Sequence, residues 1–200
     1  DDEKYLCNDT LNVIYAVSDS YRLEYILCLL NSRLINVWFK KTYPAGLHIK
    51  VNQLEQIPIP ILLIEEQQKY VDMANRMLLL NKQLQEKRSR FLRRLKNNFE
   101  SIKITGALST FDQLEFADFL KELKKQKITL KLSQQDEWED YFNDYRSVCH
   151  QLSEQMTETN KEIDLLVYKL YGLTYDEVLI VDADLGINRE KYDNLGVMQK

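Results

Sequence analysis

Asn52-Gln53-Leu54-Glu55-Gln56-Ile57-Pro58-Ile59-Pro60 admits little besides extended backbone at its end. Prolines at alternate positions fix φ and remove two backbone donors. Directly after them the hydrophobic period becomes helical and holds as far as Phe99. The stretch therefore reads as a rigid hinge between a compact piece upstream and a long helical arm downstream.

Downstream, Tyr70, Met73, Met77, Leu80, Leu84, Phe91 and Leu95 step by three and four, with Lys87 in the one missing position. That is a heptad seam, and it predicts a first long helix from about Glu65 to Phe99. A second seam runs through Trp138, Phe142, Tyr145, Cys149, Leu152, Met156, Thr159, Ile163, Leu166 and Leu170 without a slip, predicting a helix from about Gln135 to Tyr171. The connection is long enough for the chain to reverse, so the two helices pair as an antiparallel hairpin. Met73, Met77, Trp138, Phe142 and Leu152 are expected in its core.

Between them, Ser101 to Lys131 forms a tip. Thr110 is placed to cap an amphipathic helix carrying Phe111, Leu114, Phe116, Phe119, Leu120 and Leu123. Ile128 to Leu132 then alternates, and Ser133 is expected to cap the second long helix. Gly172 suits the residue just past that helix. Thr174 with Glu177 makes a capping box for a short helix bearing Val178, Leu179 and Ile180. From Asp184 the residues are polar and aperiodic, which predicts a loose tail.

Upstream, residues 11–17 are β-branched and aromatic and read as a strand. Ser18-Asp19-Ser20 is a turn. Tyr21 to Phe39 carries two helices broken near Asn31-Ser32. Lys40 to Gly46 reads as a loop, with Pro44 and Gly46 as breakers. Leu47 to Val51 reads as a short strand, and Val51 to Ile57 as one helical turn. The expected fold is mainly α with a small α/β part over residues 1–60. The helical hairpin fills 61–181 with its tip around 101–132, and a tail occupies 182–200.

Composition agrees. Charged residues make up 29% and apolar ones 44%, while Gly and Pro number only five and three, a profile of long helices. No apolar run reaches the ~18 residues of a membrane span, and no signal peptide is visible. Cys7, Cys28 and Cys149 lack any CxxC spacing and read as reduced cytosolic thiols. Net charge is −4, but residues 81–131 carry +7 and residues 132–200 carry −9. Two antiparallel helices neutralising each other fit that split, and a phosphate-facing patch fits it too.

Catalytic chemistry is hard to find. Glu122-Leu123-Lys124 has a nuclease-like spacing but sits on a predicted helix rather than a strand. Asp182-Ala183-Asp184 reads as a solvated acidic turn. His48 and His150 have no Cys or His partners at zinc spacing. There is no GxSxG, P-loop or GxGxxG. On residues alone this is a binding or scaffolding piece, with no cofactor or metal of its own.

Several segments carry a family likeness. Tyr25-Ile26-Leu27-Cys28-Leu29-Leu30-Asn31-Ser32-Arg33-Leu34-Ile35-Asn36 resembles a helix of bacterial target-recognition domains. Lys40-Lys41-Thr42-Tyr43-Pro44-Ala45-Gly46, the Leu54 to Pro60 hinge, Glu66-Gln67-Gln68, Asp136 to Phe142 and Lys161 to Thr174 continue the pattern in order. Together they resemble the C-terminal, TaqI-like specificity region of type IIG restriction enzymes, which join an endonuclease to an N6-adenine methyltransferase. Type I specificity subunits share the plan. The methyltransferase signature is absent, since no two prolines are adjacent, so no catalytic residue carries over. The chain, which begins Asp-Asp-Glu, reads as the terminal part of a longer bacterial cytoplasmic protein.

The resemblance implies double-stranded DNA as partner, with the parent's methyltransferase and nuclease domains beside it. S-adenosylmethionine and magnesium would belong to those domains. Lys40, Lys41 and Lys50 are candidates for phosphates. Thr42, Tyr43 and His48 lie with them in the stretch Lys40 to Lys50, Gln53 follows it, and Tyr43, His48 or Gln53 could reach base edges. Arg88 and Arg90 are candidates for phosphate tracking. The alternative is a helical-hairpin interaction or dimerisation module with no DNA role.

Overall fold

A computed structural model describes residues 14, 19–44 and 49–195. In order, these form α1 (Leu23–Asn31), α2 (Arg33–Thr42), α3 (Val51–Leu54), α4 (Ile64–Asn98), α5 (Gly106–Ser109), a 3-10 turn (Phe111–Gln113), α6 (Phe116–Lys125), α7 (Leu132–Leu170), α8 (Tyr175–Val181) and α9 (Arg189–Asn194). No strand occurs among the described residues. The strand expected over 11–17 lies, apart from Ile14, outside them. That expected over Leu47–Val51 is replaced at its described end, where Val51 opens α3. Among the described residues no helix is long and apolar enough to cross a membrane.

The described chain packs as two compact units. One is Arg76–Thr159; the other joins the residues up to Asn75 with those from Asn160 onward. The division falls inside α4 and α7, not at the prolines.

Unit Arg76–Thr159 is the expected hairpin with a substantial tip. Leu80, Leu84, Phe91 and Leu95 of α4 share one core with Phe142, Cys149 and Leu152 of α7. Phe99 meets Trp138 at 5.6 Å between ring centroids, and Phe91 meets Phe142 at 6.0 Å. Rising residue numbers on α4 thus meet falling ones on α7, which makes the pair antiparallel. The tip is part of this core. Phe111 stacks on Phe91 at 3.7 Å, and Phe119 lies 5.1 Å from Phe142. All four rings are fully buried.

Two caps differ from expectation. Thr110 does not cap a helix; its hydroxyl donates to Gly106 O at 3.3 Å. The amphipathic helix starts later, as α6 after Glu115 and without a side-chain cap, while Thr105 caps the short α5 by accepting from Leu108 N at 3.2 Å. Helix α7 begins one residue before Ser133, with Lys131 N donating to Gln134 Oε1 at 2.9 Å. Ile128 to Lys131 belongs to neither helix nor strand, yet Leu130 is buried and Thr129 exposed. The alternation marked facing, not a sheet.

In the other unit the buried stripe departs from strict heptads. On α4 it runs through Gln67, Tyr70, Val71 and Ala74, leaving Met73 half-buried. On α7 it runs through Ile163, Val167 and Tyr168, leaving Leu166 and Leu170 half-buried. A straight helix drifts by ~20° per heptad, so a strict heptad seam does not stay centred on one face along helices of this length.

The prolines lie within this unit and are clamped. Tyr25 donates to Pro60 O at 2.9 Å and Tyr171 to Pro58 O at 2.6 Å. Gln67, fully buried, accepts from Arg22 N at 2.9 Å and donates to Ser20 O and Leu62 O. Helix α7 closes with Gly172 at φ +69°, where Leu173 N donates to Tyr168 O and Gly172 N to Lys169 O. The capping box forms as expected, with Thr174 N donating to Glu177 Oε2 at 2.8 Å.

The loose tail is not observed over 184–195. Tyr192 is fully buried on α9, donates to Leu173 O at 2.8 Å, and holds Lys169 Nζ 3.8 Å above its ring. Nor is the acidic turn wholly solvated. Asp182 is buried, accepting from Tyr168 and pairing with Arg33 at 2.8 Å.

Candidate nucleic-acid interface

Ser32 separates α1 from α2. Its hydroxyl donates to Leu29 O at 2.7 Å and accepts from Ile35 N at 3.4 Å, so one buried side chain ends the first helix and starts the second. Helix α2 then runs further than the sequence suggests. Lys40, Lys41 and Thr42 form its last turn instead of a loop. Thr42 Oγ1 donates back to Trp38 O at 2.8 Å, and Tyr43 N closes on Phe39 O. The helix stops there because Pro44 disfavours helical backbone at the residue before it.

This places the ammonium groups of Lys40 and Lys41 at a helix C-terminus, where the helix dipole favours cations, and both are exposed. Tyr43 is half-buried against Phe39 at 5.0 Å and Trp38 at 6.2 Å, and donates to Gln56 Oε1 at 2.6 Å. Its hydroxyl ties α2 to the segment after α3. Gln53 also has a structural task, accepting Lys50 N at 2.9 Å as α3 begins. Lys50 itself is exposed. His48 lies outside the described residues.

Arg88 and Arg90 belong to the other unit and differ from each other. Arg88 is committed: its Nε and terminal nitrogen donate to the two carboxylate oxygens of Asp112, both at 2.7 Å. Asp112 is 3% exposed, so this is a buried bidentate pair, and the hydrogen bond to Asp112 raises the guanidinium's pKa. Its guanidinium is thus engaged within the fold. Arg90 is exposed. The pairing of basic α4 with acidic α7 takes an unexpected form. Arg88 of α4 and Arg146 of α7 each reach a carboxylate of the tip, Asp112 and Glu115.

The remaining chemical candidates are tied down. His150 Nε2 lies 2.6 Å from Asp112 O, which requires that nitrogen to carry the proton. Glu122 pairs with Lys125 on α6. Burial pushes the Cys28 thiol up to about 12 and the Cys149 thiol to about 11, so both keep their protons at neutral pH.

What sequence reasoning missed is the polar wiring: Gln67, the Arg88–Asp112 pair, and Arg33, whose backbone N–H donates to Asp164 Oδ1 at 2.7 Å while its side chain reaches Val181 O and Asp182. None of these residues occupies a periodic apolar position.

With these positions fixed, likeness to known families can be placed on the structure. Residues 64–167 match the family described as Domain of unknown function (DUF8810), and this is just over half of the chain. The chain belongs to that family. The DUF8810 match opens on the first residue of α4 and closes inside α7. Residues 1–59 match the family described as TaqI-like C-terminal specificity domain. The two matches are separated by residues 60–63, at the end of the clamped proline segment, so Lys40, Lys41, Thr42, Tyr43, Lys50 and Gln53 fall within the TaqI-like match, and Arg88 and Arg90 within the DUF8810 match. No curated protein and no solved structure matches the chain.

Proposed function

We propose that the chain recognises duplex DNA and acts as a scaffold within a restriction–modification enzyme. Its catalytic domains, an N6-adenine methyltransferase and an endonuclease of the type IIG kind, lie outside these residues. The TaqI-like specificity match over 1–59 carries this reading. S-adenosylmethionine and magnesium belong to the catalytic domains, and the enzyme works in the bacterial cytoplasm.

Within that reading Lys40, Lys41 and Lys50 contact phosphates, which position the protein without specifying sequence. The exposure of all three supports this role. Tyr43 and Gln53, each already bonded within the fold, hold the surface that presents them. The clamped prolines give the specificity region a fixed footing on the start of α4.

Replacing Lys40, Lys41 and Lys50 together by Ala in the parent enzyme tests the assignment. Binding to cognate and non-cognate duplex should weaken alike, and the slope of log K against log salt should shrink by about 2 to 3. Unchanged affinity and slope would remove this face from the interface. A parent gene without an Asn-Pro-Pro-aromatic motif would remove the methyltransferase.

A further inference from the structure

Unit Arg76–Thr159 carries a cleft that the duplex-facing lysines do not use. Arg94 and Asn98, from the last turns of α4, form one wall, and Glu137, Trp138 and Tyr141, near the start of α7, form the other. Its volume is about 160 Å³. Pockets for drug-sized ligands start near ~300 Å³, so this one takes a single ring system rather than a dinucleotide or a flavin.

The aromatic side of the cleft is rigid. Trp138 is backed by Phe99 at 5.6 Å and Phe119 at 6.1 Å, and Tyr141 by Phe91 at 5.6 Å and Tyr145 at 4.8 Å. Trp138 and Tyr141 meet at 88° and remain half-buried. Each ring thus has a side fixed by the core and a remainder that lines the cleft. A ligand stacking there would not have to order these rings first.

The polar side is specific. Arg94 is exposed, and none of the ion pairs among the described residues uses it. Arg93 and Arg94 both stand close enough to the Tyr141 phenol to oppose the rise that burial imposes on it. Asn98 spends one donor on Arg94 O at 2.9 Å, which leaves its amide oxygen and second hydrogen for a ligand. Glu137, opposite the arginine, would repel a ligand that was only a phosphate. It would instead accept from an amino group, as carboxylates do from the exocyclic amine of cytosine.

A cation for a phosphate, rigid aromatics for a base, and an acceptor for an exocyclic amine are the parts of a single-strand site. We infer that this cleft binds one unpaired, amino-bearing nucleotide of DNA, with Trp138 and Tyr141 against the base, Glu137 and Asn98 on its edge and Arg94 on its phosphate. The choice of DNA rests on the reading given under Proposed function; the cleft itself lies wholly within the other unit.

The test uses the full 200-residue chain labelled with 5-fluorotryptophan. It has two tryptophans, and Trp38→Phe assigns their two ¹⁹F resonances. Titration with a deoxycytidine decamer should shift the Trp138 resonance and leave that of Trp38 in place. A thymidine decamer, which lacks the amine, should bind at least about 5-fold more weakly. Arg94→Ala, at an exposed position, should weaken the cytidine decamer about 5-fold or more. No shift of Trp138, equal binding of the two decamers, or an Arg94→Ala variant that binds as well as the parent would each overturn the assignment. The Lys40, Lys41, Lys50 variant should titrate unchanged. The cleft and the duplex-binding face can therefore fail separately.

Discussion

The largest fully buried side chains sort by unit. Arg76–Thr159 buries Phe91, Phe111, Phe119 and Phe142, whereas the unit joining the residues up to Asn75 with those from Asn160 buries Tyr25, Tyr70, Tyr168 and Tyr192. Hydroxyls account for the difference. Tyr25 donates to Pro60 O, Tyr168 to Asp182 and Tyr192 to Leu173 O. The phenylalanine unit packs two continuous helices and a tip around one apolar core, with Arg88, Arg146 and His150 tying the helices to Asp112 and Glu115 of the tip. The tyrosine unit is assembled from short segments far apart in the chain, and each join is marked by a polar group reaching a backbone carbonyl or a carboxylate. A buried tyrosine supplies ring area and a hydrogen bond that fixes register. Such a unit gains definition from partners that a heptad seam does not need.

The contrast predicts different responses to loss of one side chain. Phe111 stacks on Phe91 and is fully buried. Phe111→Ala should cost about 3–5 kcal/mol, the range for removing a buried phenylalanine. The urea midpoint measures the loss. Native-state hydrogen exchange should place it in amides of 76–159 more than in those of α1 and α2. Equal loss of protection everywhere would mean that the two units unfold as one, and the contrast would have no energetic content.

Gln67→Ala probes the other unit. One amide serves Arg22 N, Ser20 O and Leu62 O, so its removal leaves a donor and two acceptors without that partner. The cost should be about 2 kcal/mol, within the ~1–3 kcal/mol of an unsatisfied buried group. Exchange protection should fall first in α1 and the start of α4. Gln67→Met keeps the volume and should be nearly as costly if hydrogen bonding decides. A methionine variant as stable as the parent would make the site a packing position and blur the distinction between the units.

This difference also explains what could be read from the chain. The hairpin was legible because Leu80, Leu84, Cys149 and Leu152 repeat at helical spacing, and those residues do share one core. The Gly172 stop and the Thr174–Glu177 box were legible because each is a local signal confined to a few residues. Gln67 was not, because a glutamine between Glu66 and Gln68 looks solvent-facing until its partners, 47 and 45 residues away, are known. The pairing of Arg88 was hidden for the same reason: Asp112 lies 24 residues on in the chain. Lys40 and Lys41 were seen as exposed cations but placed in a loop, since Pro44 and Gly46 suggest a break earlier than the last turn of α2. The lone buried Tyr192 of α9 offers no repeat to detect.

The smallest expected effect is electrostatic and belongs to the tyrosine unit. Burial raises the pKa of Asp164, the nearby Asp182 carboxylate adds to the rise, and the Arg33 N–H and guanidinium oppose it. An acid whose pKa is higher folded than unfolded holds more protons in the native state between those two values. Stability therefore falls as pH rises through that window, from the ordinary carboxylate value upward, and is flat above it. Asp164→Asn keeps an oxygen for Arg33 N–H and removes the titration. At pH 7 the variant should be slightly more stable than the parent, and its advantage should shrink as pH is lowered below the carboxylate range. Urea midpoints at the two pH values measure the difference. A variant less stable at pH 7, with the deficit vanishing in acid, would show that attraction to Arg33 outweighs burial. Asp164 would then count among the bonds that hold the tyrosine unit together, not as a cost it carries.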